Sequence, residues 1–509
     1  MNGRCAIVLA GALLATSCAS VYTNPAVQYH MINVDQDGKY TPSPPNVRFD
    51  PNAGQDDPKV YEAFLADLFR EVQDSRVYQT PGRKHLLIYV HGGLNLSRDS
   101  IKNVERLRGD ISEDHIYPLF INWRSFFFTT YGEHLTSIRQ GKPSRLASVT
   151  APLYLLTDLA GAVARGPKAL VIQGAHVLNT WRERGGRLVE RLGGGERTTE
   201  DTNPKECAFI HYVPRMVPPR HTKLRNQIWY WVTMPGTWLL NPFVSEIGRP
   251  SWDIMQRRNQ TLFRMPSEFE QGECADRSGR SLTPKERERC DRGTGALAVF
   301  LQHLDLFLKE HGGSEQDNHD YTVTLVGHSM GAIVINEILG AYPHMHFDNV
   351  VFMGAAVSIR EVLDHTIPYL ARHPATQFYS LSLDPDAENS ETSLIGVEPS
   401  GSLLVWIDSY YTTPLTQLDR TFGRWENVRS VLHVFPPEVL ERRMHFKMFG
   451  FDSTNSPQEH GEFGRYPFWR PNFWWTGSWK YGDYFYDAPG EPDTPYLKLE
   501  NATQRHALE

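Results

Sequence analysis

Ser329 is the residue of this chain best placed for covalent chemistry. It stands in Val323-Thr324-Leu325-Val326-Gly327-His328-Ser329-Met330-Gly331-Ala332, an apolar strand, then Gly-x-Ser-x-Gly, then an apolar helix. A serine on such a strand-to-helix turn is forced into a strained backbone conformation, and the flanking glycines remove side chains that would collide with the neighbouring strand and helix. The chemistry this allows is attack of the hydroxyl on an electrophilic carbon. Because serine is a weak nucleophile at neutral pH, a base must lie within hydrogen-bond reach and be oriented by an acid. A second motif lies far upstream, where the apolar run Leu86-Leu87-Ile88-Tyr89-Val90 leads directly into His91-Gly92-Gly93-Leu94-Asn95.

Together, and in this order, the two motifs resemble the alpha/beta-hydrolases. In that family the His-Gly turn after an early strand supplies one backbone N–H and the residue after the nucleophile supplies another, and both hold the oxyanion of a tetrahedral intermediate. The resemblance therefore implies Gly93 and Met330 as oxyanion donors, groups whose loss costs about a hundredfold in rate; Asn95 is expected to brace the loop. It also implies the chain order serine, acid, histidine. From the last expected strand onward the histidines are His433, His445, His460 and His506. His433 falls within that strand and His506 in the terminal tail, leaving His445 and His460. The polar loop Ser456-Pro457-Gln458-Glu459-His460-Gly461 favours His460 as the base, with His445 as the alternative. For the acid, Asp384 ends a strand and is the first choice, with Asp386 as fallback and Glu388 and Asp408 beyond it. Any of these carboxylates could instead terminate the strand or cap a helix.

The elements that must position these residues are short apolar runs without clean alternation, the pattern of strands buried on both faces of a mostly parallel sheet. They fall at Leu86–Val90, Ile116–Ile121, Thr322–Val326, Val350–Met353, Phe378–Leu383 and Val431–Phe435, with helices expected at Lys59–Val72, Leu297–Lys309 and Ala332–Leu339. The expected fold is α/β, an alpha/beta-hydrolase fold with helices on both faces of the sheet. About 200 residues separate the second and third runs, where a simple crossover needs a dozen or more. A large cap insertion is expected there, over 124–292. It contains Leu146 to Ala164, a nearly apolar stretch whose internal Pro152 and Asp158 favour a helix of the cap over a membrane span. The core parts are then 59–123 and 293–463.

At the N-terminus, Arg4, the apolar run Ala6 to Ala15 and Thr16-Ser17-Cys18 have the layout of an export signal. Ala15-Thr16-Ser17-Cys18 resembles the lipobox of bacterial lipoproteins, which implies a signal peptide over 1–17, acylation of Cys18, and a lipid-anchored protein of the cell envelope facing the periplasm from the outer membrane. Residues 18–58 read as a tether and N-terminal segment. Within it, Asn33-Val34-Asp35-Gln36-Asp37-Gly38 starts like a calcium loop, but Pro44 stands where the glutamate is required, so a hairpin turn is expected. Of the remaining cysteines, Cys274 and Cys290 are expected to form a disulfide across a polar loop, leaving Cys207 as an unpaired buried thiol. Residues 464–509 form an aromatic-rich arm that is expected to pack across the domain, with a wall of an apolar substrate site or a belt dipping into a membrane interface as the alternatives.

The composition excludes some functions. A net charge of -7 over 509 residues, with no polybasic block, gives no electrostatic footprint for nucleic acid. His344-x-His346 is a weak metal pattern, no phosphate loop or dinucleotide fingerprint is present, and no metal or organic cofactor is expected. The expected reaction is hydrolysis of carboxylic esters, lipids or long-chain esters included, through an acyl-enzyme. A peptidase or amidase would share the same residues, and a catalytically inactive binding protein of the envelope is the rival from another class.

Overall fold

A computed structural model describes residues 25–35, 37–41, 58–78, 83–93, 97–123, 125, 127–139, 142–143, 146–164, 210–212, 246, 248–264, 294–311, 313–314, 317–318, 320–391, 401–412, 414–449 and 457–474. The export signal, Cys18, Asn95, the Cys274–Cys290 pairing, Cys207, His506 and the arm beyond Trp474 lie outside the described residues. The principal strands are β1 (Met31–Val34), β2 (Lys84–Val90), β3 (Ile116–Trp123), β4 (Ile210–Tyr212), β5 (Tyr321–His328), β6 (Asn349–Met353), β7 (Gln377–Leu383) and β8 (Met444–Phe449). The longer helices are α1 (Pro58–Asp74), α2 (Ser97–Glu113), α3 (Phe127–Thr136), α4 (Ala147–Ala164), α5 (248–263), α6 (Ala296–Glu310) and α7 (Gly331–Ala341). This is an α/β fold. The chain divides into two units, one of Met1–Pro167, Pro242–Asp348 and Tyr410–Thr412, the other of Lys168–Asn241, Asn349–Ser409 and Thr413–Glu509.

In the first unit four strands pair in the order β1-β3-β2-β5, every pair parallel. All eight residues of β3 are buried, as are Leu86 to Val90 of β2 and Val323 to His328 of β5. Burial of consecutive residues means both faces are covered, which is why these runs lack alternation. Helix α2 packs on β3 and α7 on β5, while Phe69 of α1 stacks on Phe300 and Phe307 of α6. After β1 the chain turns back: Asp35 Oδ1 accepts the N–H groups of Asp37 and Lys39, and Val34 bridges Tyr40 antiparallel. That is the hairpin turn expected in place of a calcium loop, and β1 itself joins the sheet.

In the second unit the order is β6-β7-β8-β4, again parallel throughout. The last strand differs from expectation. Leu432–Val434 is a short 3-10 turn, and Pro436 and Pro437, which have no N–H to donate to a ladder, open the helix Pro437–Arg443. The strand is Met444–Phe449 instead. Its polar members are satisfied internally: His445 Nε2 bonds Gln377 Oε1 at 3.0 Å and Lys447 Nζ donates to the Phe473 carbonyl at 2.7 Å. The segment 124–292, expected as a cap, supplies β4 to the sheet of this unit, with Ile210–Tyr212 in register with Phe446–Met448.

Candidate functional site

Ser329 follows the last residue of β5 and precedes α7, with φ at 53°, in the left-handed region that L residues seldom occupy. The surrounding glycines are needed for close approach. At Gly331 a Cβ would run into the carbonyl oxygen of Val90, so α7 lies against the end of β2 only because that residue is bare. At Gly92 a Cβ would come within 2.8 Å of Ser329 Cβ, which places the His91-Gly92-Gly93 turn against the serine. Ser329 is 1% exposed and Met330 is fully buried at the start of α7.

The His91 ring holds this turn. Its Nδ1 lies 2.7 Å from the Gly92 carbonyl oxygen, and its Nε2 lies 3.3 Å from the Trp123 backbone nitrogen, which donates to it, and 3.1 Å from Asn122 Oδ1. A neutral ring protonated on Nδ1 meets the first two bonds, and burial indeed pushes the His91 pKa down. Ser125 Oγ donates to the same Gly92 carbonyl at 3.1 Å, and Asn122 Nδ2 donates to Asn33 Oδ1 of β1 at 2.6 Å. With its carbonyl held from two sides, the planar trans peptide Gly92–Gly93 has its N–H fixed in the opposite direction. Asn95, expected to brace the loop, lies outside the described residues; among the described residues the turn is braced by His91, Asn122 and Ser125. A buried His directly before two glycines was the available signal.

In the second unit, His460 opens the 3-10 turn His460–Arg465 and is 5% exposed. Its ring lies on Gly354, the residue just past β6, which has φ at 50°; a Cβ there would stand 2.9 Å from His460 Cε1 and 3.0 Å from Nδ1. The His460 backbone N–H donates to Glu391 Oε2 at 2.8 Å, Glu462 Oε2 accepts the Gln458 N–H at 3.0 Å, and Phe463 packs edge-on against Phe449. Burial holds the Glu391 carboxyl well above the usual carboxylate range. Glu391, which ties down the loop carrying the histidine, was missed in the sequence; nothing in its local pattern distinguishes it from other acids of the polar segment around it.

Asp384 is the first residue past β7 and is buried. Its N–H donates to the Phe449 carbonyl at the end of β8, and its own carbonyl accepts the Glu388 N–H at 2.9 Å. The Gly354 N–H donates to Leu381 of β7 at 2.8 Å, so the residue beneath His460 and the strand that ends at Asp384 are joined directly. Asp386 falls within the short helix Pro385–Ser390. The outlying acids have other partners. Asp408 accepts from Thr421 N and Oγ1, Arg424 Nη1 and Asn427 Nδ2 at 2.8–3.1 Å. Glu388 accepts from Ser402 Oγ, and burial pushes its pKa up to about 7.

His445, the alternative base, lies near the start of β8, stacked on Tyr379 at 4.9 Å and bonded to Gln377. It therefore belongs to the opposite end of its strand from the edge where Gly354 and Asp384 stand. His344 lies 3.4 Å from Asp305 and His346 lies 3.9 Å from Asp348, so the two histidines of the weak metal pattern face different carboxylates. Comparison with protein-family models, with curated proteins and with solved structures returned no match.

Proposed function

We propose that this protein is a serine hydrolase of the alpha/beta-hydrolase type that cleaves carboxylic esters. The observation that carries the reading is the left-handed Ser329 between β5 and α7 with the His91-Gly92-Gly93 turn held against it. A strained serine, two glycines spared for close approach and a peptide N–H of fixed direction are the parts that acyl transfer requires.

In this reading the Ser329 hydroxyl attacks the ester carbonyl carbon and gives its proton to His460, whose ring Asp384 orients. The oxyanion is held by the N–H groups of Gly93 and Met330, the latter at the positive end of α7. His460 passes the proton to the departing alkoxide, which leaves as the alcohol. Water, deprotonated by His460, then attacks the acyl-enzyme and releases the acid, regenerating Ser329. Placement at strand ends within each unit supports these assignments: in the first Ser329 follows β5, and in the second Gly354 beneath His460 follows β6 and Asp384 follows β7. Segment 124–292 is proposed as the cap, and Cys18 as the acylated residue that keeps the protein at the cell envelope.

The test is labelling of the purified chain by a fluorophosphonate probe, comparing wild type with Ser329→Ala, His460→Ala and Asp384→Asn. Loss with Ser329→Ala and slowing of about a thousandfold or more with His460→Ala are expected. Unlabelled, folded wild type would remove the enzyme reading and favour an inactive binding protein. Cleavage of peptides but not of short acyl esters would make it a peptidase.

A further inference from the structure

Helix α4 is built inside out. A helix on the surface of a soluble protein turns its apolar stripe to the core and its polar residues to water. Here Leu146, just before the helix, and Val149, Leu153, Leu156 and Val163 recur at three- and four-residue and longer helical intervals on the outer side, between 61% (Leu153) and 76% (Val149) exposed. The inner side is marked by two small residues and a carboxylate: Ala147 and Ala162 are buried, and Asp158 Oδ2 accepts the Tyr131 hydroxyl at 2.9 Å and stands 3.4 Å from His134 Nε2, both on α3. Tyr131, Asp158 and His134 thus fix which way the helix faces, and that way leaves the leucines outward.

The sequence around α4 is one-sidedly basic. Arg139, Lys142 and Arg145 precede it, Arg165 and Lys168 follow, and Asp158 is the sole carboxylate between residues 135 and 168. Apolar side chains on one face with cations at both ends match the layering of an anionic phospholipid surface, acyl chains beneath phosphates. A second copy of the same face would bring those cations together. A span through the bilayer would put Asp158 and its α3 partners into hydrocarbon.

We propose that α4 is a membrane-docking helix that lies in the plane of an anionic phospholipid surface, with Val149, Leu153, Leu156 and Val163 inserted among the acyl chains. Docking does not require catalysis. It brings the first unit to the lipid by a contact separate from any N-terminal lipid.

Hydrogen exchange of the full chain, read over residues 146–164, tests this with and without vesicles of phosphatidylcholine containing phosphatidylglycerol. Exchange over that segment is expected to slow on these vesicles, less so on phosphatidylcholine alone, and equally in the Ser329→Ala protein. Exchanging two inserted leucines for acids, in Leu153→Asp/Leu156→Asp, is expected to weaken vesicle binding through this segment by about a hundredfold or more while leaving the melting temperature in solution nearly unchanged. Exchange over 146–164 indifferent to vesicles overturns the proposal. So does protection that rises with protein concentration alone, which would assign the face to a second copy. Loss of labelling by wild type would end the hydrolase reading and leave the docking result standing.

Discussion

Around Ser329 the backbone is held by close approach and by neutral hydrogen bonds, whereas around His460 it is held by buried ionisable groups. The first region relies on Gly331 against Val90, Gly92 against Ser329, and the bonds of His91 and Ser125 to the Gly92 carbonyl. The second relies on Glu391 beneath the His460 N–H, on Glu388 against Ser402, and on Lys447, which burial lowers to about 7 while its Nζ donates to Phe473. Sterics do not respond to pH, and buried charges do. The turn at Ser329 is therefore held mainly by sterics, with His91 as its titratable member, while the loop that carries His460 rests on several groups that titrate.

The largest expected effect is on the steric side. Gly331→Val puts a side chain into the Val90 carbonyl and is expected to cost roughly 3 kcal/mol or more, since neither partner is a flexible side chain. In the His460 loop, Gly461→Ala meets no atom within 4 Å of the new Cβ and is expected to leave thermal stability nearly unchanged. Similar melting temperatures for the two variants would break the comparison.

The next effect is on the ionisable side. Glu388 has a folded pKa of about 7 against an ordinary 4.5, so the native state keeps a proton that the unfolded chain gives up. Its contribution is complete below about pH 4.5 and is lost as pH rises to about 7, a change of up to roughly 3 kcal/mol. Glu388→Gln is expected to flatten this part of the stability curve in urea unfolding at pH 4 to 8. Lys447 acts in the opposite direction: its folded pKa of about 7 lies below the usual 10.5, so its contribution to stability grows as pH rises between them. A wild-type curve that is level across pH 4.5 to 7, with the same slope in the variant, would show that Glu388 is ionised in the fold.

The smallest effect is on the brace. Asn122→Ala removes the bond to Asn33 and the contact with His91, and is expected to cost about 1–2 kcal/mol. Fluorophosphonate labelling should slow by more than the loss of folded protein explains, because the His91 ring that holds the Gly92 carbonyl loses a neighbour. An unchanged labelling rate would assign the brace to stability alone.

The readable parts of this molecule are those whose causes are local. The strand, the Gly-x-Ser-x-Gly turn and helix α7 occupy neighbouring residues, and the apolar run of β2 leads straight into His91-Gly92-Gly93, so both appear as patterns in the chain. Strand β8 did not, because His445 and Lys447 interrupt its apolar pattern and are made tolerable only by Gln377 and Phe473, distant in sequence. Val431–Phe435 misled for the converse reason: it is apolar but leads into Pro436 and Pro437, and Val434 remains 41% exposed. Strands β1 and β4, of four and three residues, are too short to announce themselves.

By itself the sequence determined the α/β class, the strand-to-helix turn at Ser329 and the order of the candidate residues, since each is set by steric and hydrophobic preferences acting over a few neighbouring positions. Tertiary structure decided which acids have structural partners, that His445 stays within a strand while His460 reaches Gly354, and that the apolar side of α4 faces outward. Those outcomes depend on what lies opposite a residue in space, and the partners come from segments far along the chain.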